Sequence, residues 1–119
     1  VNIGPEANDR AMVVASSFVR FLAQACPAWD LGFFRFALSE AGPAASASCV
    51  TGTEVAVLDH PGAFEVLVER SKALFDAIGR TRGVVLFVLG ASGNCEIRFD
   101  LEDLERWKLD AGTGVPRGL

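Results

Sequence analysis

Six consecutive apolar residues, Val84 to Leu89, stand between Gly83 and Gly90. A run this short has strand length, and alternate residues of a strand point to opposite faces, so both faces of this one are apolar. Such a strand is stable only at the centre of a sheet that is covered on both sides. The remainder of a 119-residue chain must supply the neighbouring strands and the covering layers. That length is one domain, and with half its residues hydrophobic and 22% charged it can build a core without disulfides or metal.

The pattern on either side of that strand assigns the other elements. Ala11, Val14, Ala15, Phe18, Phe21, Leu22 and Ala25 recur at three- and four-residue steps, which predicts an amphipathic helix over residues 5–25. Cys26-Pro27 ends it, because the residue before a proline is pushed out of the helical region. From Trp29 the period becomes two: Phe34, Phe36 and Leu38 line one face of a strand, and Phe33, Arg35 and Ala37 line the other. After a turn at Ala41-Gly42-Pro43, two shorter strands at Ser46–Val50 and Glu54–Leu58, or a single strand bent at Thr51-Gly52, are expected, so that residues 29–58 are all strand and turn.

A second helix is expected over residues 61–78. Pro61 suits a first helical position, Asp59 or His60 can cap it, and Gly79 can end it. Phe64, Leu67, Val68, Ser71, Leu74, Phe75 and Ile78 form its inward stripe. The central strand then turns at Ala91–Asn94 into a last strand, so that residues 84–100 form a hairpin. In that last strand Cys95, Ile97 and Phe99 alternate with Glu96, Arg98 and Asp100. Asp100 can cap a short final helix over residues 101–107, with a loose tail at 111–119. The fold class expected is α+β: a single mainly antiparallel sheet of four to five strands against two principal helices, with a short C-terminal helix.

Several chemistries lack their residues. His60 is the one histidine, so neither a histidine metal cluster nor an HExxH helix can be built. There is no GxxxxGK[ST] loop and no GxGxxG turn to cradle a nucleotide, so no cofactor is expected. Cys26, Cys49 and Cys95 are odd in number, far apart and without a C-x-x-C pair, which argues for free thiols in a reducing cytosol. A nucleophilic pair would have to join one of them to His60, and Cys49 is the candidate. The net charge of −4 makes a phosphate backbone a poor partner and a basic protein a better one. No run approaches the roughly 20 apolar residues of a membrane span. Glu6 and Asp9, with no basic segment before them, are unlike a signal peptide, so a cytoplasmic location is expected.

The charge is concentrated. Glu96, Asp100, Glu102, Asp103, Glu105 and Asp110 stand against Arg98, Arg106 and Lys108, so one 15-residue stretch carries −3 of the −4. The stretch admits three roles: a solvated face with local pairs such as Glu102 with Arg106, a docking surface for a cationic partner, or a divalent-cation site. The last lacks the D-x-[DN]-x-[DN]-G loop of a calcium site. Trp107, beside these acids, is a candidate interface anchor, and Phe33 and Arg35 are weaker ones. Trp29, at a strand start, is read as core.

A leading helix closing in Cys26-Pro27-Ala28-Trp29, a strand from Leu31 to Ser39, His60 ahead of the helix Phe64 to Ile78, and a final hairpin closing in Phe99-Asp100-Leu101-Glu102-Asp103 together resemble the YezG-like immunity proteins of bacterial polymorphic toxin and contact-dependent inhibition systems. The likeness runs over about residues 18–103 and rests on Pro27, Trp29, Gly93, Ile97, Phe99, Asp100, Glu102 and Asp103. It implies a small cytoplasmic antitoxin that binds and neutralises a cognate toxin domain, often a nuclease, without catalysis. Glu96, Asp100, Glu102, Asp103, Glu105 and Trp107 are then the expected toxin-binding residues. The alternatives are a small-ligand-binding domain or Cys/His-dependent enzyme using Cys49 and His60, and a chaperone or adaptor for a larger effector.

Overall fold

In the computed structural model, which describes residues 4–59 and 61–119, the chain runs α1 (Gly4–Ala25), β1 (Leu31–Ser39), β2 (Gly42–Thr51), β3 (Glu54–Leu58), α2 (Pro61–Ile78), β4 (Gly83–Gly90) and β5 (Cys95–Asp100). The five strands form one sheet in the order β3-β2-β1-β4-β5, with every neighbouring pair antiparallel. β4 is an inner strand, and Val84, Val85, Leu86 and Phe87 are fully buried. It is covered on both sides, as a run apolar on both faces requires.

The two helices lie on one face. There Phe34 and Phe36 of β1, Ala47 and Cys49 of β2, and Val85, Phe87 and Leu89 of β4 meet Ala11, Val14, Phe18 and Leu22 of α1 and Leu67, Leu74 and Phe75 of α2. The phenylalanines knit the layers: Phe34 stands 5.4 Å from Phe18, 6.1 Å from Phe87 and 6.3 Å from Phe64, while Phe75 reaches Phe36 at 5.5 Å and Phe99 at 6.4 Å. Tilted and edge-on contacts at these distances add to the area buried. Gly32 of β1 lies beneath α1, and a Cβ there would drive into the Leu22 side chain.

α2 has the predicted bounds and ends as Gly79 prescribes. Gly79 takes φ +70°, its N–H bonds to the Asp76 carbonyl at 3.1 Å, and the Arg80 N–H reaches the Phe75 carbonyl at 3.1 Å. This paired closure is the Schellman motif. Of the two expected caps, Asp59 and His60, the second lies outside the described residues.

β2 is longer than expected, starting at Gly42 rather than Ser46. Its first residues, Gly-Pro-Ala-Ala, have weak strand preference, but they are drawn into register against Phe36–Ser39 of β1. Pro43 is tolerated because β3 pairs only with Ala47–Thr51, so β2 has no outer neighbour at that end.

The second face of the sheet is covered by the C-terminal segment, against two expectations. Over Leu101–Trp107, where a short helix is expected, the chain winds in successive turns. These are closed by Arg106 N–H to the Asp103 carbonyl at 3.2 Å and Lys108 N–H to the Glu105 carbonyl at 3.4 Å. Trp107 takes φ +59°, outside the helical region, and stops any continuation. Nor are residues 111–119 loose. Asp110 N–H bonds to the Val115 carbonyl and Arg117 N–H to the Lys108 carbonyl, both at 2.9 Å, around a bridge between Leu109 and Pro116. Gly114 is buried, and its Cα lies against Val55 and Val57 of β3, where a Cβ would be 3.0–3.2 Å from their methyl groups. Residues 101–117 are therefore a lid across the second face. Among the described residues, no helix is long and apolar enough to cross a membrane.

Candidate functional site

The acidic stretch is the outer edge of this lid and the strand that leads into it. Strand alternation puts Glu96, Arg98 and Asp100 on the lid side of β5, while Ile97 and Phe99 join the helix-side core. Glu96 and Arg98, two residues apart on that face, pair through both carboxylate oxygens at 3.1 Å. Asp100 turns the chain. Its Oδ1 accepts the N–H groups of Glu102 at 3.0 Å and Asp103 at 2.9 Å, and its Oδ2 meets Arg106 at 3.3 Å. The backbone donors, and then Arg106, hold its carboxyl below the usual carboxylate value. Arg106 thus pairs with Asp100 and not, as expected, with Glu102.

Glu102, Asp103 and Glu105 are exposed along the turns. Asp103 Oδ1 accepts the Glu105 N–H at 3.0 Å, and Glu105 pairs with Lys108 at 2.6 Å, which lowers its carboxyl. Asp110 repeats the Asp100 arrangement. It accepts N–H groups from Gly112 at 2.8 Å and Thr113 at 3.1 Å and pairs with Arg117 at 3.4 Å.

Trp107 is not the exposed anchor expected. It is 4% exposed and rests on Val84 and Leu86 of β4, with the Arg106 guanidinium 4.9 Å from its ring centre. Phe33 and Arg35 are buried too, at 4% and 5% exposure. The lid that covers the second face removes all three from the surface.

Arg35 is the residue that sequence reasoning misplaced most. From the centre of β1 it donates Nε–H to the Arg106 carbonyl at 2.9 Å and an η-nitrogen N–H to the Leu104 carbonyl at 2.6 Å. Burial pulls its pKa below the ordinary arginine value, opposed by the nearby Glu105 and Asp103 carboxylates. It is a pin through the lid. The only signal for it in the sequence is an arginine flanked by Phe33, Phe34 and Phe36.

The cysteine–histidine alternative rests on Cys49. Cys49 is 1% exposed, and its thiol is pushed up to about 12 by burial and then by the neighbouring Cys26. A thiol so held stays protonated near neutral pH and is a poor nucleophile. His60 lies outside the described residues. Among the described residues, no cluster of three or more His, Cys, Asp or Glu could hold a metal ion. No protein-family model matches the chain, and no curated protein is significantly similar to it in sequence.

Proposed function

We propose that this domain is a protein-binding module of the immunity type, which neutralises a cognate toxin by stoichiometric binding through the exposed acids of the lid. The observation that carries the reading is the fixing of the acidic turns by buried groups: Arg35 holds the carbonyls of Leu104 and Arg106, and Trp107 is seated on β4. A loop already held in one conformation loses little entropy on binding. Glu102, Asp103 and Glu105 project from it, and clustered charge steers a cationic partner to the face and selects against acidic ones. A toxin that acts on nucleic acid needs a basic cleft, which such carboxylates can occupy in place of phosphates.

The test is capture with the intact domain as bait, followed by expression of the recovered polypeptide in cells with and without it. The reading requires one partner that kills alone and is harmless when the domain is co-expressed. Replacing both Glu102 and Asp103 by lysine should then weaken binding by roughly 10- to 100-fold at low salt while leaving the melting curve cooperative. Unchanged affinity would discard the acidic face. A captured partner that is not toxic would discard the immunity role.

A further inference from the structure

Cys26 and Cys49 are 23 residues apart in sequence, but the fold sets them together by a simple geometry. Leu22 of α1 lies over Gly32 of β1, where the missing side chain admits it. Cys26 follows one helical turn later, its N–H bonded to the Leu22 carbonyl at 2.8 Å. Cys49 is the cross-strand neighbour of Gly32. The step from Leu22 to Cys26 is thus matched by the step from β1 to β2, and the two sulfurs meet 2.7 Å apart, with the Cys49 thiol donating to Cys26 Sγ. The Thr51 hydroxyl flanks Cys26 at 3.3 Å.

We propose that Cys26 and Cys49 are a disulfide site, closed by a two-electron oxidant of the peroxide class that enters at Cys26. Closing to the S–S bond length of about 2.05 Å asks for a movement of only about 0.65 Å. The two thiols differ in access. Cys26 is half-buried and lines a recess of about 340 Å³ together with Pro27, Thr51, Glu54 and Val55, whereas Cys49 is sealed in the core. Of these two, peroxide therefore meets Cys26 first: its sulfur takes one oxygen to become a sulfenic acid, and one water leaves. The Cys49 thiol, a poor nucleophile toward molecules in solution, is held against that sulfur and gives up its proton to the departing oxygen as it attacks, forming the S–S bond. The hydroxyl departs with the Cys49 proton as a second water, so two thiols and one peroxide give one disulfide and two waters.

Cys95 is kept out by the same sheet. Cys49, Gly32, Leu89 and Cys95 lie on one cross-strand row. Three strand spacings separate the two cysteines by about 14 Å, twice the reach of a disulfide. Closure would tie the C-terminal end of α1 to β2 on the helix face, independently of the acidic lid.

The experiment treats the intact, fully reduced protein with one equivalent of hydrogen peroxide and maps its peptides without reduction. A chain lighter by two hydrogen atoms, with the peptides of Cys26 and Cys49 joined, is expected in the wild type and in Cys95→Ser alike. In Cys49→Ser the reaction should stop at a Cys26 sulfenic acid that dimedone traps. In Cys95→Ser, an unmodified chain or oxygen added at Cys26 without a cross-link, and in the wild type a link made through Cys95, would each overturn the assignment.

Discussion

Replacing Arg35 by methionine tests the lid more directly than any surface change. The guanidinium makes two charge-assisted bonds to backbone carbonyls, at 2.9 Å and 2.6 Å, from a residue that is 5% exposed. Bonds of this kind contribute about 1.5–3 kcal/mol each, or roughly 3–6 together. Methionine keeps the apolar stem and removes the cost of holding a charge in the sheet, which offsets several kcal/mol of that sum. The carbonyls of Leu104 and Arg106 belong to the outer layer and can turn to water. A net loss of about 2 kcal/mol follows, or roughly 8 °C in melting temperature for a domain of this size. The loss should be local before it is global. Hydrogen exchange of the amides of Arg106, Lys108, Asp110 and Arg117 should quicken by about 30-fold, while those of α2 change less. Arg35→Lys should fall between, since an ammonium cannot span both carbonyls as the planar fork does. A melting shift under about 1 °C with unchanged lid exchange would refute the claim that Arg35 fastens this segment.

Two further outcomes follow from the same geometry. Asp100 titrates below its ordinary 3.8 in the folded chain, so the folded state binds its proton less readily than the unfolded state does. Its contribution is present above the ordinary value and is lost as pH falls through the lowered one. Melting curves of Asp100→Asn taken below about pH 4 should therefore show a flatter acid dependence than wild type, and an identical slope would contradict it. Among the glycines, Gly32→Ala should destabilise by about 1–3 kcal/mol, because Leu22 and Phe18 are fully buried and cannot give way cheaply. Gly62→Ala in the first turn of α2, with open space around it, should stabilise by about 0.5–1 kcal/mol. Thermal melts that reverse the order of the two would show the packing beneath α1 to be looser than described.

What could be read from the sequence was whatever repeats with a period. α2 was legible to its end residues because seven inward positions, a proline and a glycine all agree. β4 was legible because an apolar run of strand length has one stable placement. Alternation gives both faces of β1, yet Phe33 and Arg35 on the second read as interface anchors, because nothing periodic in residues 101–119 announces a covering layer. The lid has no helix and no strand. Its apolar contacts come from Leu104, Trp107 and Gly114 at irregular intervals, and it is held by Arg35, 69 and 71 residues away from the carbonyls it binds. The beginning of β2 escaped for a related reason. Its strand state is imposed by the nine-residue length of β1 and not by its own Gly-Pro-Ala-Ala. Cys26 and Cys49 were read as distant because their meeting depends on strand register and on the space over Gly32, neither of which is local.

The acidic cluster shows why counting charge does not by itself locate an interface. Six acids within 15 residues look like one feature, but they divide by task. Asp100 and Asp110 are built alike: one oxygen receives the N–H groups two and three residues on, and the other meets an arginine six or seven residues on. Each closes a turn at one end of the lid, so its charge is spent on backbone donors and on Arg106 or Arg117. Glu96 is matched by Arg98 on the strand. Glu102 and Asp103 are exposed between these two turns, and Glu105 beside them is matched by Lys108. On the proposed reading, a partner that reads charge meets these three. Substitutions at Asp100 or Asp110 would weaken binding by loosening the surface on which those three are displayed, with a matching loss of stability. Reversal at Glu102 would act on the partner with little change in the melt. The ratio of affinity lost to stability lost therefore separates contact from support within a single run of like charges.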